Sequence, residues 1–232
     1  MKRISFVFVL TLFVSAVNAQ VKTIKPTSIS PMPTISFEEY ERLFDMSEGP
    51  DSDKVTPKQR EALETCGLYD DLYMPFCSWY CGGEVLSVKA SNYLKPQGKF
   101  TYEGKNAHDF NHKSVWATDG NGVGASLVYE FAGKNPRITT VKILNGHVKT
   151  EKAWRENSRV KRLKVYYMDK PYAILELEDS RTLQEFEVGV LGPHSDTAPN
   201  WTLKFEILEI YPGTKYQDTV IAELYFDGID VH

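Results

Sequence analysis

Trp201-Thr202-Leu203-Lys204-Phe205-Glu206-Ile207-Leu208-Glu209-Ile210-Tyr211 is the stretch on which the reading of this chain turns. Trp201, Leu203, Phe205 and Ile207 recur at every second position, with Thr202, Lys204 and Glu206 between them. A period of two belongs to a strand with one face in a core and the other in water. The phase then shifts to Leu208 and Ile210, which predicts a bulge. Working outward, the same alternation broken by turn residues appears at Val85–Ala90, Ser126–Phe131, Ile138–Leu144, Arg162–Met168, Pro171–Leu177, Leu183–Val188 and Thr219–Phe226. In the last of these, Val220, Ala222, Leu224 and Phe226 are expected to face inward. No helical stretch between the strands is long enough for parallel crossovers. The fold class is therefore mainly β, an antiparallel β-sandwich or jelly roll.

Composition agrees and removes other classes. Of 232 residues 42% are hydrophobic, and 27 Lys+Arg face 31 Asp+Glu for a formal net charge of -4. With no basic excess to neutralise a phosphate backbone, a nucleic-acid partner is not expected. Beyond the first twenty residues no apolar run reaches the length of a membrane span. Those first residues have their own logic: Lys2 and Arg3, then the apolar stretch Ile4 to Val14, then Val17-Asn18-Ala19. This order is that of a secretory signal peptide, residues 1–19, cut between Ala19 and Gln20. Export to the periplasm, the cell surface or the medium follows.

Residues 20–81 read as a linker and a short helical extension, ahead of a sandwich over residues 82–232. Gln20 to Thr34 carries prolines and Ser/Thr in the manner of a linker. Ile35 to Phe44 is amphipathic, with Ser36 as N-cap and Glu39 three residues on, and Thr56 caps a second run from Pro57 to Thr65. Cys66, Cys77 and Cys81 lie close together in this extension. In an oxidising compartment they favour one disulfide and one leftover thiol, ahead of a metal site or a nucleophilic Cys81.

Three constellations carry chemistry. Asp109-Phe110-Asn111-His112-Lys113-Ser114-Val115-Trp116 sets oxygen-bearing side chains close enough to converge on a hard cation, with Glu223, exposed by alternation, as a further carboxylate. Spacing alone favours an Asx turn leading into a buried Trp116. His108 and His112 would share a helix face suited to zinc, but loop-like surroundings make them solvated histidines. The loop from Asn145 to Arg159 offers the imidazole, indole, amide and guanidinium that sugars use. By composition alone Trp154 packs over the sandwich end and Arg159 pairs with a strand-edge charge. Tyr211 to Tyr216 is by composition a turn with two aromatics. No catalytic motif is present.

Several segments taken in order resemble a known family. Ala107 to Trp116 is similar to the opening loop of discoidin-type (coagulation factor 5/8 C-type, galactose-binding-like) domains. Gly122-Val123-Gly124-Ala125-Ser126, Val141 to His147, Asn157 to Lys161, Leu177-Glu178-Asp179 and Tyr211 to Leu224 resemble the bacterial NADase-type glycan-binding domain. The resemblance implies an eight-stranded jelly roll whose end loops contact glycans. It also implies a structural Ca2+ held by Asp109, Asn111, Ser114 and Glu223. Asn111 and Ser114 stand where Asp and Thr are common, and one fewer negative charge weakens cation affinity. The piece before Gly82 is too short for the NADase catalytic domain, so NAD cleavage does not transfer.

The resulting expectation is an exported carbohydrate-binding protein, not an enzyme. Trp154 stacks on a sugar ring, His147, Asn157 and Arg159 bind hydroxyls, and Tyr216 completes the site. The rival readings are a protein-interaction or adhesion module meeting a partner in the bacterial envelope, and an exported hydrolase or thiol enzyme.

Overall fold

The computed structural model describes residues 21–66, 68–69 and 78–231. Within them eleven strands make one hydrogen-bonded sheet, folded into the two layers of a β-sandwich. They are β1 (Lys22–Ile24), β2 (Ser28–Pro31), β3 (Val85–Ala90), β4 (Trp116–Ala117), β5 (Ser126–Phe131), β6 (Arg137–Asn145), β7 (Ser158–Tyr167), β8 (Lys170–Glu176), β9 (Thr182–Leu191), β10 (Trp201–Tyr211) and β11 (Thr219–Ile229). One layer runs β1-β8-β7-β10-β5-β3 and the other β2-β9-β6-β11, with β4 beside the start of β11. The pairings are antiparallel except between β1 and β8 and at a two-residue seam. There Thr219 and Val220 of β11 lie parallel to Ser158 and Arg159 of β7 and splice the layers together.

The eight strands expected from alternation are all present. In β10, Trp201, Leu203, Phe205 and Ile207 are buried in turn, and the register slips between Ile207 and Glu209, where the phase shift predicts a bulge. The main core lies between the layers, and Phe226 of β11 meets Tyr129 and Phe131 edge-on, each at 5.1 Å between centroids. Each such pair contributes about 0.5–1.5 kcal/mol beyond the area it buries.

Strand β11 departs from simple alternation. Its register slips between Ile221 and Glu223, so Ile221, Leu224 and Phe226 enter the main core. Val220 and Ala222 instead enter a second cluster, with Val115, Val148 and Trp154, under the end loops. The strand is buried on both faces from Thr219 to Phe226.

The N-terminal extension is less separate than its composition suggests. Val21 to Pro31 is no free linker: Lys22–Ile24 pairs with the edge of β8 and Ser28–Pro31 with the edge of β9. It thus covers an open border of both layers. The sandwich core also begins before residue 82. Trp79 is fully buried, edge-on to Phe131 at 5.9 Å, and its indole N–H donates to the Pro136 carbonyl at 2.8 Å. A Cβ on Gly83 would come within 2.6 Å of the Trp79 ring, so only glycine fits there.

Helices α1 (Phe37–Glu48) and α2 (Pro57–Glu64) follow Val21 to Pro31 among the described residues. Helix α1 is capped by Ser36, whose hydroxyl accepts from Glu39 N at 3.2 Å. Helix α2 carries a complete capping box between Thr56 and Gln59. Cys66 is buried and its thiol donates to the Ala62 carbonyl at 3.0 Å, whereas Cys81 is exposed with a free thiol. The expected disulfide therefore does not join Cys66 to Cys81. Cys77 and the signal-peptide segment lie outside the described residues.

Candidate functional site

Loops from three connections, β3–β4, β6–β7 and β10–β11, meet at one end of the sandwich and enclose a two-lobed groove. The wider lobe, about 470 Å³, has Lys99, Phe100, Lys113 and Lys149 on its walls and Asn106 and Ser114 deeper in. The narrower, about 260 Å³, is bounded by Gln97, Glu156, Asn157, Tyr216 and Asp218. Tyr102, Val115 and His147 line both, so the lobes are continuous.

Local sequence explains the walls. At Gln97-Gly98-Lys99-Phe100 the backbone folds back, with Gln97 N donating to Phe100 O at 3.0 Å and the reverse bond at 3.1 Å. Gly98 takes φ +61°, the left-handed region in which glycine carries no penalty. The turn leaves Phe100 53% exposed at the groove. Opposite, the expected loop between Asn145 and Arg159 contains a short helix α3 (Glu151–Glu156), capped by Thr150, whose hydroxyl accepts from Ala153 N at 3.0 Å.

That helix decides the fate of Trp154 and Arg159. It turns Trp154 inward to 9% exposure, and the indole N–H donates to the Asn145 carbonyl at 3.0 Å. Arg159 stacks on this indole at 4.5 Å, grips Asp179 through two bonds of 2.8 and 3.1 Å, and donates to the Trp154 and Asn157 carbonyls. Gly146, at φ +90°, lies where a Cβ would strike both Trp154 and Arg159 at under 3 Å. Two of the five residues expected to touch the sugar, Trp154 and Arg159, are thus packed beneath the site, as composition alone indicates. His147, Asn157 and Tyr216 do come together at the groove. The Asn157 side-chain N–H donates to the Ala153 carbonyl at 2.8 Å. His147 Nδ1 is buried with no hydrogen-bond partner among the described residues, and burial and then Lys149 depress the pKa of the ring.

The acidic loop borders the wider lobe. Asp109 and Asn111 form the expected Asx turn, Asn111 N donating to Asp109 Oδ1 at 3.1 Å, while the Ser114 hydroxyl donates to Asp109 Oδ2 at 2.7 Å. Glu223 is not exposed as alternation suggested. The register slip in β11 turns it under this loop at 0% exposure, where its Oε1 accepts from Asn111 N at 2.7 Å. Its Oε2 is buried with no partner among the described residues. Burial first, and Asp109 second, push this carboxyl well above the ordinary carboxylate range. A carboxylate in this position calls for a proton or a cation. Asp109, Asn111, Ser114 and Glu223 together offer hard oxygen donors, the set that suits calcium.

The histidines are not solvated. His108 is packed against Tyr80, Phe110 and Tyr129, and its Nδ1 donates to the Leu224 carbonyl at 2.9 Å. His112 is buried as well, and no cluster of three His, Cys, Asp or Glu suited to a metal occurs among the described residues. Phe100, Lys99, Lys149, Tyr102 and Asp218 were not singled out from sequence. The signal for the first two was the Pro96-Gln97-Gly98 turn, which throws the next side chains outward. No helix among the described residues is long and apolar enough to cross a membrane.

Comparison with known proteins adds the family. No curated protein matches the chain. Among solved structures, a family 32 carbohydrate-binding module of Clostridium perfringens, in complex with GalNAc-β-1,3-galactose, is 16% identical, covering 61% of this chain and 94% of that one at a TM-score of 0.43. The third such module of a family 31 glycoside hydrolase from the same organism is 16% identical over 64% of this chain and 92% of that one, at a TM-score of 0.45. The module of Streptococcus pneumoniae EndoD is 12% identical over 63% and 99%, at 0.44. Residues 79–227 match the NAD glycohydrolase translocation F5/8 type C domain, from the buried Trp79 to the end of the aromatic core in β11. Matched over more than half its length, the chain belongs to that family.

Proposed function

We propose that this chain is an exported glycan-binding protein without catalytic activity, and that its ligand lies in the two-lobed groove. The observation that carries the reading is Phe100. It is an exposed aromatic ring at the lip of an open cavity whose walls present imidazole, amide, phenol and carboxylate groups. A sugar needs an apolar ring for its C–H face and planar polar groups for its hydroxyls. Phe100 takes the stacking role that sequence assigned to Trp154. His147, Asn157 and Tyr216 keep theirs, and Trp154 and Arg159 hold the wall behind them. Membership of a translocation-domain family and the signal-peptide pattern support export.

The Asp109 loop serves as a structural calcium site in this reading. Asp109, Asn111, Ser114 and Glu223 would hold the ion, which would neutralise the buried Glu223 and fix the loop bordering the groove. Titration of the full chain against a glycan panel, with Phe100→Ala and Tyr216→Ala alongside, tests the function. Loss of affinity in both variants with unchanged melting is expected, and unchanged affinity in both removes the groove as the site.

A further inference from the structure

Resting on the glycan reading above, we propose that the sugar in the wider lobe is acidic, a uronate or a sulfated ring, so that the groove binds its ligand in one direction. Lys99, Lys113 and Lys149 all line this lobe. Among the described residues none of the three forms an ion pair, so the lobe carries three cations that no described carboxylate answers.

The placement is specific as well as basic. The Lys99 and Lys149 ammonium groups stand 5.7 and 5.9 Å from the centroid of the exposed Phe100 ring. Both lie over the face of the ring, so a sugar that stacks there takes the place of an ammonium group, and both lysines stay close enough to reach its substituents. Charge-assisted hydrogen bonds to a carboxylate or sulfate satisfy both cations and remove their mutual repulsion. The one carboxylate on this lobe, Asp109, is already engaged by the Ser114 hydroxyl and the Asn111 N–H.

The narrower lobe has the opposite character. No lysine lines it, while Glu156 and Asp218 do. Glu156 is paired with Lys152 at 3.9 Å, which leaves Asp218 as the carboxylate that an acidic unit placed there would face, with no lysine on the lobe to answer it, so the groove favours one orientation of an oligosaccharide. The chain as a whole carries a net charge of -4, so attraction of an anion is local to this lobe and not a property of the whole surface.

The test titrates the full chain with size-matched neutral, carboxylated and sulfated oligosaccharides, and with polyphosphate as an anion without sugar. An acidic oligosaccharide is expected to bind about tenfold more tightly than its neutral counterpart. That preference should shrink between about 0.05 M and about 0.5 M NaCl. Combining Lys99→Gln with Lys149→Gln should bring the affinity for the acidic oligosaccharide down to that for the neutral one, with the melting temperature unchanged. Equal binding of neutral and acidic sugars, insensitive to the lysine changes, overturns the acidic ligand and leaves glycan binding standing. Polyphosphate bound as tightly as the sugars, with Phe100→Ala without effect, overturns it in favour of charge alone. Binding to none of them overturns both.

Discussion

Two buried charges stand at the same end of the sandwich, and their surroundings are opposite. Arg159 has every side of its guanidinium answered by Asp179, by two carbonyls and by the Trp154 ring. Glu223 accepts from the Asn111 backbone N–H, faces another carboxylate and leaves an oxygen with no partner among the described residues. The first is closed and holds the scaffold. The second is open, with an oxygen that no described residue answers. Residue type did not separate the two; completeness of hydrogen bonding did.

The sharpest way to break this contrast is to remove the closed charge. Arg159→Met should destabilise the fold by about 3 kcal/mol, because two carbonyls and Asp179 lose their donor. Urea unfolding measures it, and a loss below about 1 kcal/mol would show that the guanidinium is not the keystone of this wall.

The open charge should respond to metal instead. Saturating calcium, at about a hundredfold its dissociation constant, should stabilise the protein by about 2.7 kcal/mol, read as a rise in melting temperature. Glu223→Gln should abolish most of that rise while the metal-free protein melts close to wild type. An undiminished rise would place the ion elsewhere.

Phe100→Ala sharpens the contrast between framework and surface. It should weaken glycan binding by about 1–2 kcal/mol and change unfolding free energy by less than about 0.5 kcal/mol, since the ring is exposed. Trp154→Phe should do the reverse, lowering stability and sparing affinity.

The smallest effect concerns pH. Burial lowers the pKa of His147, so as pH falls below the ordinary histidine value the unfolded chain takes up a proton that the folded chain resists. Stability conferred by the neutral ring is thus present above that pH and lost below it, with a slope of at most about 1.4 kcal/mol per pH unit. In His147→Gln the slope should flatten in melts between about pH 7 and pH 5.

What could be read beforehand follows from periodicity. Strands such as β5 and β10 alternate cleanly, because one face meets the core and the other water, and their bounds were legible to the residue. β11 is covered on both faces, so alternation carries no phase there, and Glu223 was assigned to the wrong side of it. The short edge strands β1 and β2 bury little and gave no pattern. At the site, composition alone identified Trp154 and Arg159 as structural. The expectation that they touch sugar came from resemblance, which supplies a fold but not which loop residue faces out. Phe100 escaped because its one signal, the Pro96-Gln97-Gly98 turn, marks a turn and not which side chain beyond it stands at a groove.

The seam where Ser158 and Arg159 run beside Thr219 and Val220 gains a mechanical meaning from its position. Asn157 and Asp218, the residues just before each of its strands, both border the narrower lobe. A ligand lying there would touch both sheets at once, so a pull on it would pass into this seam as well as into the core packed between the layers.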